Sequence, residues 1–364
     1  MREGKSYYIQ TWGCQMNERD SEIIAAMLEN DGLSSVSDVK AADVIVLNTC
    51  CIRDKAEQKV YARIGELVRL KKEKPSLIIA VSGCMPQQQG VEEHIRKRFP
   101  QVDLVLGTHN LYRFPELLRQ VGATNGTFVE IWDEFKPEQA AFEDRGLKRK
   151  EYLKAKVNIS HGCNNYCSYC IVPYVRGRER SRDPEDILRE IKHLEENGCV
   201  EVLLLGQNVN SYGKDLKEDT DFTSLLRRIC SIDGIKRIRF MTSHPKDLSE
   251  RLIAAIACHK KICSHVHLPV QAGSNRVLKM MNRGYSREEY LSLVEKLREN
   301  INEVSITTDL IVGFPGETDE DFSETLDLVK KVRFDSAYMF VFSPRKGTRA
   351  AAMEDPVPRE IKKG

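Results

Sequence analysis

Three cysteines within eight residues constrain this sequence more than any other feature. Cys163, Cys167 and Cys170 have the spacing C-x3-C-x2-C, so a short loop can turn three thiolates toward one centre. Soft thiolates select zinc, copper or iron–sulfur clusters. Three cysteines leave one iron of a 4Fe–4S cluster without a protein ligand, and an open position on a metal centre is typical of catalysis rather than of scaffolding.

A structural zinc site is the alternative for the same loop. His161 lies just before the first of these cysteines and could act as a fourth ligand. A closed structural zinc site needs four ligands, and no further Cys or His follows at the spacing of a zinc finger. The spacing therefore favours an iron–sulfur cluster.

The composition is typical of a soluble globular protein of two or three domains: 364 residues, 41% hydrophobic, 30% charged and a net charge of +2. A nucleic-acid surface would therefore be a local basic patch. We identify neither a signal peptide nor an apolar run near the roughly 20 residues that span a bilayer, so we expect a cytoplasmic protein without a membrane partner. The 11 cysteines of such a chain indicate metal or redox chemistry before disulfides.

Strand-like and helix-like segments alternate over residues 5–122. Continuous apolar runs such as 43–48 are typical of strands buried in a parallel sheet. The alternation predicts an α/β domain with a Rossmann-like or flavodoxin-like parallel sheet and helices on both faces. We predict strands at 5–12, 43–48, 77–82 and 103–106, and helices at 20–30, 54–72, 91–98 and 111–120.

Three more cysteines each follow the end of a predicted strand in this segment. Cys14, Cys50 and Cys84 would meet at one rim, because the carboxyl ends of parallel strands share the edge at which ligands bind. One such cysteine alone would more simply be buried packing, but three at equivalent strand ends favour a second cluster. Cys51 competes with Cys50. Neighbours on an extended segment point to opposite sides, so we expect only one of them to face the cluster.

Residues 123–152 break the alternation and form a predicted linker, with one strand-like run at 127–132. Residues 153–350 then contain six strand–helix units with polar or Gly-rich turns after the strands, and residues 351–364 form a tail. This repetition predicts a partial (β/α)6 barrel whose site lies at the C-terminal ends of the strands. We predict its strands at 155–160, 200–205, 237–241, 264–268, 304–312 and 336–342.

Polar side chains at these strand ends would surround the mouth that holds the cysteine loop. They offer hydrogen bonds for an adenosine, a ribose and an amino-acid head group, although each alone could be a turn former. The candidates are Gln207, Asn208, Ser243, His244, Gln271 and Asp309.

A run of arginines follows the cysteine loop. In an extended segment, the alternate spacing of Arg176, Arg178, Arg180 and Arg182 would place all four on one side. Arginine suits phosphates and carboxylates, which favours contact with RNA or with a ligand carboxylate over a solvated run paired with Asp and Glu.

Longer motifs around these residues resemble those of the methylthiotransferases, a branch of the radical SAM enzymes, over nearly the whole chain. Gly-Cys-Gln-Met-Asn at 13–17 and Gly-Cys-Asn-Asn-Tyr-Cys at 162–167 are similar to the MiaB subgroup, which modifies tRNA. The ribosomal-protein and threonylcarbamoyl-adenosine subgroups look different at those places. The other matching motifs are Asn48-Thr49-Cys50, Gly83-Cys84, His267-Leu268-Pro269-Val270-Gln271 and Gly313-Phe314-Pro315-Gly316-Glu317-Thr318.

The resemblance implies two 4Fe–4S clusters and S-adenosylmethionine as cofactors. The loop cysteines would hold the radical-generating cluster, and the three strand-end cysteines an auxiliary cluster that supplies sulfur. The strand-end polar residues would contact S-adenosylmethionine, and the arginines would contact RNA or the carboxylate of S-adenosylmethionine.

The resemblance also implies a reaction. One S-adenosylmethionine would methylate sulfur on the auxiliary cluster, and a second would give the radical that removes hydrogen from carbon-2 of N6-isopentenyl-adenosine, beside the tRNA anticodon. Methylthio transfer would complete the product. The partners would be the anticodon stem-loop of tRNA and flavodoxin or ferredoxin as electron donor. The radical step needs no side-chain acid or base, so we assign none.

The C-terminus departs from the family, which normally ends in a TRAM domain, a small β-barrel that grips RNA. This chain stops at residues 360–364, so we expect the TRAM barrel to be missing and tRNA affinity to be affected. The alternatives are methylthiolation of threonylcarbamoyl-adenosine in tRNA or of a ribosomal protein, a non-catalytic iron–sulfur protein, and a zinc-stabilised RNA-binding module.

Overall fold

The computed structural model describes residues 4–51, 54–121, 126–136, 153–217, 220–354, 357–358 and 360–363. The chain divides into two compact units. The first comprises Met1–Lys150 together with the short segment Tyr174–Gly177, and the second comprises Glu151–Pro173 and Arg178–Gly364.

The first unit is built on a six-stranded, wholly parallel sheet with the order β2-β1-β3-β4-β5-β6. The α/β prediction for this segment is confirmed. Its strands are β1 Ser6–Thr11, β2 Ser34–Ser35, β3 Val44–Thr49, β4 Ile78–Gly83, β5 Leu104–Leu106 and β6 Phe128–Glu130. Its helices are α1 Gln15–Asn30, α2 Asp54–Glu73, α3 Val91–Arg98 and α4 Phe114–Gln120.

The central strands of this sheet are buried over their whole length. Every residue of β3 and β4 is buried, which explains why both read as unbroken apolar runs in the sequence. The sheet also includes β6, which lies inside the predicted linker 123–152 and pairs with β5 through Val105 and Val129. The strand-like run at 127–132 is therefore a sheet strand. Of the predicted linker, residues 123–125 and 137–152 fall outside the described residues.

Helix α1 begins at Gln15, five residues before its predicted start. Its first turns bury the polar residues Asn17, Arg19 and Asp20, so an apolar stripe could not mark them. Cys14 is the N-cap residue, in an extended conformation with ψ 176°. The earlier start holds Cys14 at the N-terminus of a helix.

The second unit contains six parallel strands in chain order. Ladders join β7, β10 and β11, and a second set joins β12, β13 and β14. A parallel bridge between Ile238 of β11 and Ile262, just before β12, links the two sets. The strands are β7 Lys154–Asn158, β8 Ser160–His161, β9 Arg180–Ser181, β10 Glu201–Leu205, β11 Arg237–Phe240, β12 His265–His267, β13 Ser305–Val312 and β14 Ser336–Val341.

Helices follow these strands and cover the sheet with an Ile-, Leu- and Val-rich core. Their starts are strongly capped. Asp183 accepts hydrogen bonds from the Glu185 and Asp186 amides at the start of Pro184–Glu196 (α6). Ser286 and Thr318 begin Arg287–Asn300 (α10) and Asp319–Val332 (α11) with capping boxes. The helices are α5 Val172–Val175, α6 Pro184–Glu196, α7 Phe222–Cys230, α8 Glu250–Cys258, α9 Asn275–Met280, α10 Arg287–Asn300 and α11 Asp319–Val332.

Across the part of the chain that the structure describes, no helix combines the length and the apolar character needed to cross a lipid bilayer.

We predict that Gly273→Ala lowers the free energy of unfolding by about 1–3 kcal/mol, because a Cβ at Gly273 would overlap backbone atoms of Thr325 and Glu324 in α11. Calorimetric unfolding of the full chain measures the effect. Gly65→Ala is the control. A Cβ at Gly65 meets no atom within 4 Å, and alanine stabilises a helix interior by about 1 kcal/mol over glycine. Equal stability of Gly273→Ala and the wild type would contradict the packing argument.

Candidate metal centres and ligand pocket

The first centre lies at the carboxyl edge of the first sheet. Cys14 caps α1, Cys50 follows β3 and Cys84 follows β4. Two glycines allow these segments to approach. A Cβ on Gly13, at φ +127°, would lie 2.9 Å from the Cβ of Cys50, and a Cβ on Gly83, at φ +98°, would overlap the Thr49 carbonyl. The predicted meeting of the three strand ends at one rim is what the structure contains.

Asn17 ties this rim together. Its amide nitrogen donates to the carbonyls of Trp12 at 3.0 Å and Thr49 at 2.9 Å, so it joins the ends of β1 and β3. Its Oδ1 faces the thiols of Cys14 at 3.9 Å and Cys84 at 3.8 Å. The Asn17 amide thus fixes the backbone before Cys14 and Cys50, two of the three candidate ligands.

Cys51 lies beside Cys84 in the same rim. The hydrogen bond with Cys51 is the main cause that lowers the pKa of Cys84, and the Arg176 charge lowers it further against the opposing effect of burial. That hydrogen bond and burial raise the pKa of Cys51, while burial raises the pKa of Cys14. The alternating direction of neighbouring side chains therefore does not show whether Cys50 or Cys51 is the ligand.

A buried guanidinium completes the first centre. Arg176, which is 5% exposed, belongs to the segment Tyr174–Gly177 of the first unit. Its Nε donates to Cys84 Sγ at 3.3 Å, and its Nη2 donates to Asn17 Oδ1 at 2.9 Å and to Asp20 Oδ2 at 2.7 Å. A positive charge is therefore held against one candidate sulfur ligand.

The prediction that the four arginines lie on one side of an extended segment is wrong. Residues 172–175 are helical and Gly177 has φ +74°, so the segment is not extended. Arg182 is buried and pairs with Glu190 at 2.7 Å in the second unit. Arg178 is exposed and Arg180 is half-buried. Of the four, Arg178 and Arg180 keep the exposure that a contact with RNA would need.

The second centre is the loop between β8 and β9, which form an antiparallel pair. The loop is anchored at the end of α9: the Ser168 amide donates to Met281 O at 2.9 Å and its hydroxyl donates to Met280 O at 2.8 Å. Cys163 and Cys167 are buried and Cys170 is half-buried. The loop is thus fixed around its cysteines, and burial raises the pKa of Cys163 to about 11 and that of Cys170 to about 12.

A second buried guanidinium contacts this loop. Arg283 is 4% exposed, and its Nη1 donates to Cys167 Sγ at 3.3 Å. Its other donors reach Tyr169 Oη at 3.3 Å, Tyr285 Oη at 3.0 Å and Pro269 O at 2.7 Å. No carboxylate pairs with Arg283 among the described residues, and an uncompensated buried charge costs several kcal/mol.

The donor groups of both centres fit an anionic cluster. Among the described residues, no three His, Cys, Asp or Glu side chains close around one metal ion. Each centre instead offers soft thiols spread over a rim or a loop, as ligands of a multi-iron cluster are, and a guanidinium on one sulfur. The uncompensated charge of Arg283 calls for a negative group beside Cys167, which a thiolate-bound cluster supplies.

Unsatisfied polar atoms indicate a candidate ligand pocket in the second unit. Several of the buried side-chain atoms that have no partner in the described part of the chain lie at the ends of four neighbouring strands. They belong to Asn158 at the end of β7 and Ser160 in the adjoining β8, Asn210 after β10, Ser243 and His244 after β11, and Gln271 after β12. Such groups are costly unless a ligand or water pairs with them.

His244 is a neutral donor in this pocket. Burial holds the pKa of His244 far below its usual value, so the ring is uncharged at pH 7. Its Nδ1 accepts from the Lys246 amide at 3.3 Å, which places the proton on the unpaired Nε2. The pocket can therefore donate a hydrogen bond there without adding charge.

Three predicted ligand contacts have other surroundings. Asn208 donates to Asp247 Oδ2 at 2.7 Å and accepts from the His244 amide at 3.2 Å, so it positions its neighbours. Asp309 lies 3.5 Å from His267 Nε2. Gln207 is half-buried in the turn before Asn208.

Sequence reasoning missed several members of these sites. Asn158 and Ser160 were concealed inside a predicted strand, and Asn210 beyond a turn. Arg283 has no spacing relation to the cysteine loop, since 113 residues separate it from Cys170. Asn17 stands in the sequence only within a motif, because the helix that carries it starts five residues before its predicted start.

Known families match residues in both units of the chain. A model of the radical SAM superfamily matches residues 157–329, and a model of the uncharacterized protein family UPF0004 matches residues 6–107. The tRNA-2-methylthio-N(6)-dimethylallyladenosine synthase of Clostridium tetani is 55% identical over 357 residues, which are 98% of this chain and 78% of that relative. The synthase of Alkaliphilus oremlandii is 56% identical over 360 residues, 99% of this chain and 76% of that relative. The chain belongs to this synthase family.

A solved structure agrees with the fold of the chain. The radical S-adenosylmethionine methyltransferase TsrM from Kitasatospora setae, with cobalamin and a [4Fe-4S] cluster bound, has a TM-score of 0.68 over 95% of this chain and 77% of that chain. The sequence identity is 14%, so this likeness concerns the fold alone.

We predict that Cys50→Ala loses about four irons per chain while Cys51→Ala keeps them, as expected for one four-iron cluster with Cys50 among its ligands. The family motif assigns Cys50, and Gly13 brings the Cys14 loop against it. Iron and sulfide analysis after anaerobic reconstitution measures the difference. Loss of iron in Cys51→Ala alone would transfer the ligand role to Cys51.

Proposed function

We propose that this chain is a radical SAM methylthiotransferase that adds a methylthio group to carbon-2 of N6-dimethylallyl-adenosine in tRNA. The observation that carries the proposal is the pair of three-cysteine centres, one at the carboxyl edge of the first sheet and one in the loop between β8 and β9, each with a buried arginine on one sulfur. Relatives that are 55% and 56% identical bear the name of this synthase.

The cofactors are S-adenosylmethionine and 4Fe–4S clusters, as membership of the radical SAM superfamily implies. We assign the radical-generating cluster to Cys163, Cys167 and Cys170, and an auxiliary cluster to Cys14, Cys50 and Cys84. When bound, the first supplies the electron that cleaves S-adenosylmethionine to a 5′-deoxyadenosyl radical, and the second supplies sulfur.

The protein's own contribution is to bind and orient. We propose that the six parallel strands of the second unit form a partial (β/α)6 barrel and that its mouth holds S-adenosylmethionine. Asn158, Ser160, Ser243 and Gln271 have unpaired buried atoms for its polar groups, and the neutral His244 can donate without repelling its sulfonium. Removal of hydrogen from an aromatic carbon by a radical needs no side-chain base.

We further propose the substrate contacts and partners. The exposed Arg178 and half-buried Arg180 suit the phosphates of the anticodon stem-loop. Flavodoxin or ferredoxin would deliver low-potential electrons, and the reaction would take place in the cytoplasm with its tRNA substrate. A non-catalytic iron–sulfur protein would have no use for unpaired polar atoms at four strand ends.

We predict that the anaerobically reconstituted chain binds about eight irons, and that alanine at Cys163, Cys167 and Cys170 together reduces this to about four, because each four-iron cluster has its own thiolates. Only the wild type should convert N6-dimethylallyl-adenosine in tRNA to its 2-methylthio product, detected by mass spectrometry of digested nucleosides. Alanine at Cys199 and Cys230, which have no ligand spacing, is the matched control and should leave both readouts unchanged. Zinc without iron, or methylthiolation only of threonylcarbamoyl-adenosine, would overturn the assignment.

We predict opposite effects of Asn158→Leu on stability and on ligand binding. The ligand-free chain should gain about 1 kcal/mol, because two unpaired buried polar atoms are replaced by apolar ones. Its affinity for S-adenosylmethionine should fall by about tenfold, the value of one hydrogen bond to a polar ligand group. Calorimetry and anaerobic equilibrium dialysis measure the two effects. Asn300→Leu, at the exposed end of α10, should change neither. Unchanged affinity in Asn158→Leu would remove Asn158 from the pocket.

A further inference from the structure

Two buried arginines, one in each unit, donate a hydrogen bond to a cysteine sulfur at 3.3 Å. We propose that Arg176 and Arg283 are positioning residues that hold positive charge on one thiolate of each cluster and thereby raise the reduction potential of that cluster. This inference rests on the two-cluster assignment under the proposed function. It adds a residue pair that the cysteine motifs do not contain.

The guanidinium of Arg176 is fixed in one orientation. Asp20 and Asn17 both accept from its Nη2, at 2.7 Å and 2.9 Å, and this leaves Nε directed at Cys84 Sγ. Asp20 and Asn17 are themselves buried in α1. The arrangement is more specific than a surface ion pair needs, because it aims one particular N–H at one sulfur.

The guanidinium of Arg283 is held by neutral groups. Pro269 O accepts from Nη2 at 2.7 Å, and the hydroxyls of Tyr285 and Tyr169 lie at 3.0 Å and 3.3 Å from Nε and Nη1. The Tyr285 hydroxyl in turn donates to Val270 O at 2.8 Å. No carboxylate among the described residues cancels this charge, so the full charge acts on Cys167.

The physical effect follows from charge. Reduction adds an electron to a thiolate-bound cluster, and hydrogen bonds to its sulfurs together with nearby positive charge stabilise the more negative state. Burial strengthens this because the local dielectric constant is low. Asp20 partly cancels Arg176, whereas Arg283 is uncancelled. We therefore expect the larger rise in reduction potential at the radical-generating cluster.

The experiment measures each potential in a full chain that retains one cluster. Alanine at Cys14, Cys50 and Cys84 leaves the radical-generating cluster, and alanine at Cys163, Cys167 and Cys170 leaves the auxiliary cluster. Arg176 and Arg283 are each changed to Gln and to Lys in both backgrounds. Redox titration with dithionite, followed by EPR of the reduced cluster, gives the potential, and iron analysis gives the occupancy.

We expect Arg283→Gln to lower the equilibrium constant for reduction of the radical-generating cluster by about tenfold. For one electron this is a shift of about 59 mV to lower potential. Arg176→Gln should shift the auxiliary cluster in the same direction by less. Each Gln variant is the matched control for the other cluster and should leave its potential unchanged. The Lys variants keep the charge and should lie nearer the wild type.

Several outcomes would overturn the proposal. If the Gln variants keep their iron and their potentials do not shift, the arginines have a purely structural role. The same conclusion holds if a Gln variant loses iron and its remaining clusters titrate at the wild-type potential. Equal shifts in the Gln and Lys variants would exclude the positive charge of the arginine as the cause of the shift. A wild type that binds only about four irons would instead remove the two-cluster function. The arginine of the remaining centre would still be tested by the same titration.

Discussion

Parallel strands end at a common edge, and the first cysteine centre of this chain depends on that constraint. Residues far apart in sequence, such as Cys14 and Cys84, meet because β1, β3 and β4 run side by side in one direction. Unpaired polar atoms of the second unit lie at the carboxyl ends of four parallel strands for the same reason. The sheet thus provides the geometry and the turns provide the chemistry.

The strand ends approach closely only where the backbone permits it. Gly83 lies opposite Thr49 in the ladder and at φ +98°, so any side chain there would push Cys84 away from the rim. The Asn17 amide then joins the ends of β1 and β3. Glycine and asparagine therefore determine whether three thiols form one centre, although neither contributes a sulfur.

The sequence allowed prediction of nearly every strand, because apolar runs such as those of the buried β3 and β4 are local signals. The six cysteines could be selected by spacing and by position after strands. The arginine contacts could not be predicted, because they depend on where the chain turns. Gly177 breaks the extended segment and sends Arg176 and Arg182 to different carboxylates. The same holds for Arg283, whose contact with Cys167 spans 116 residues of sequence.

The unpaired groups explain why such a chain is arranged for its cofactors rather than for stability alone. Among the described residues, no carboxylate pairs with the buried Arg283, and no hydrogen-bond partner pairs with Nε2 of His244 or with the side-chain amide of Asn158. Each destabilises the ligand-free fold. In the proposed assignment, a negative cluster would satisfy the charge of Arg283, and polar groups of a ligand would satisfy His244 and Asn158. Binding free energy that satisfies these groups also stabilises the fold, so folding and cofactor loading are coupled through the same side chains.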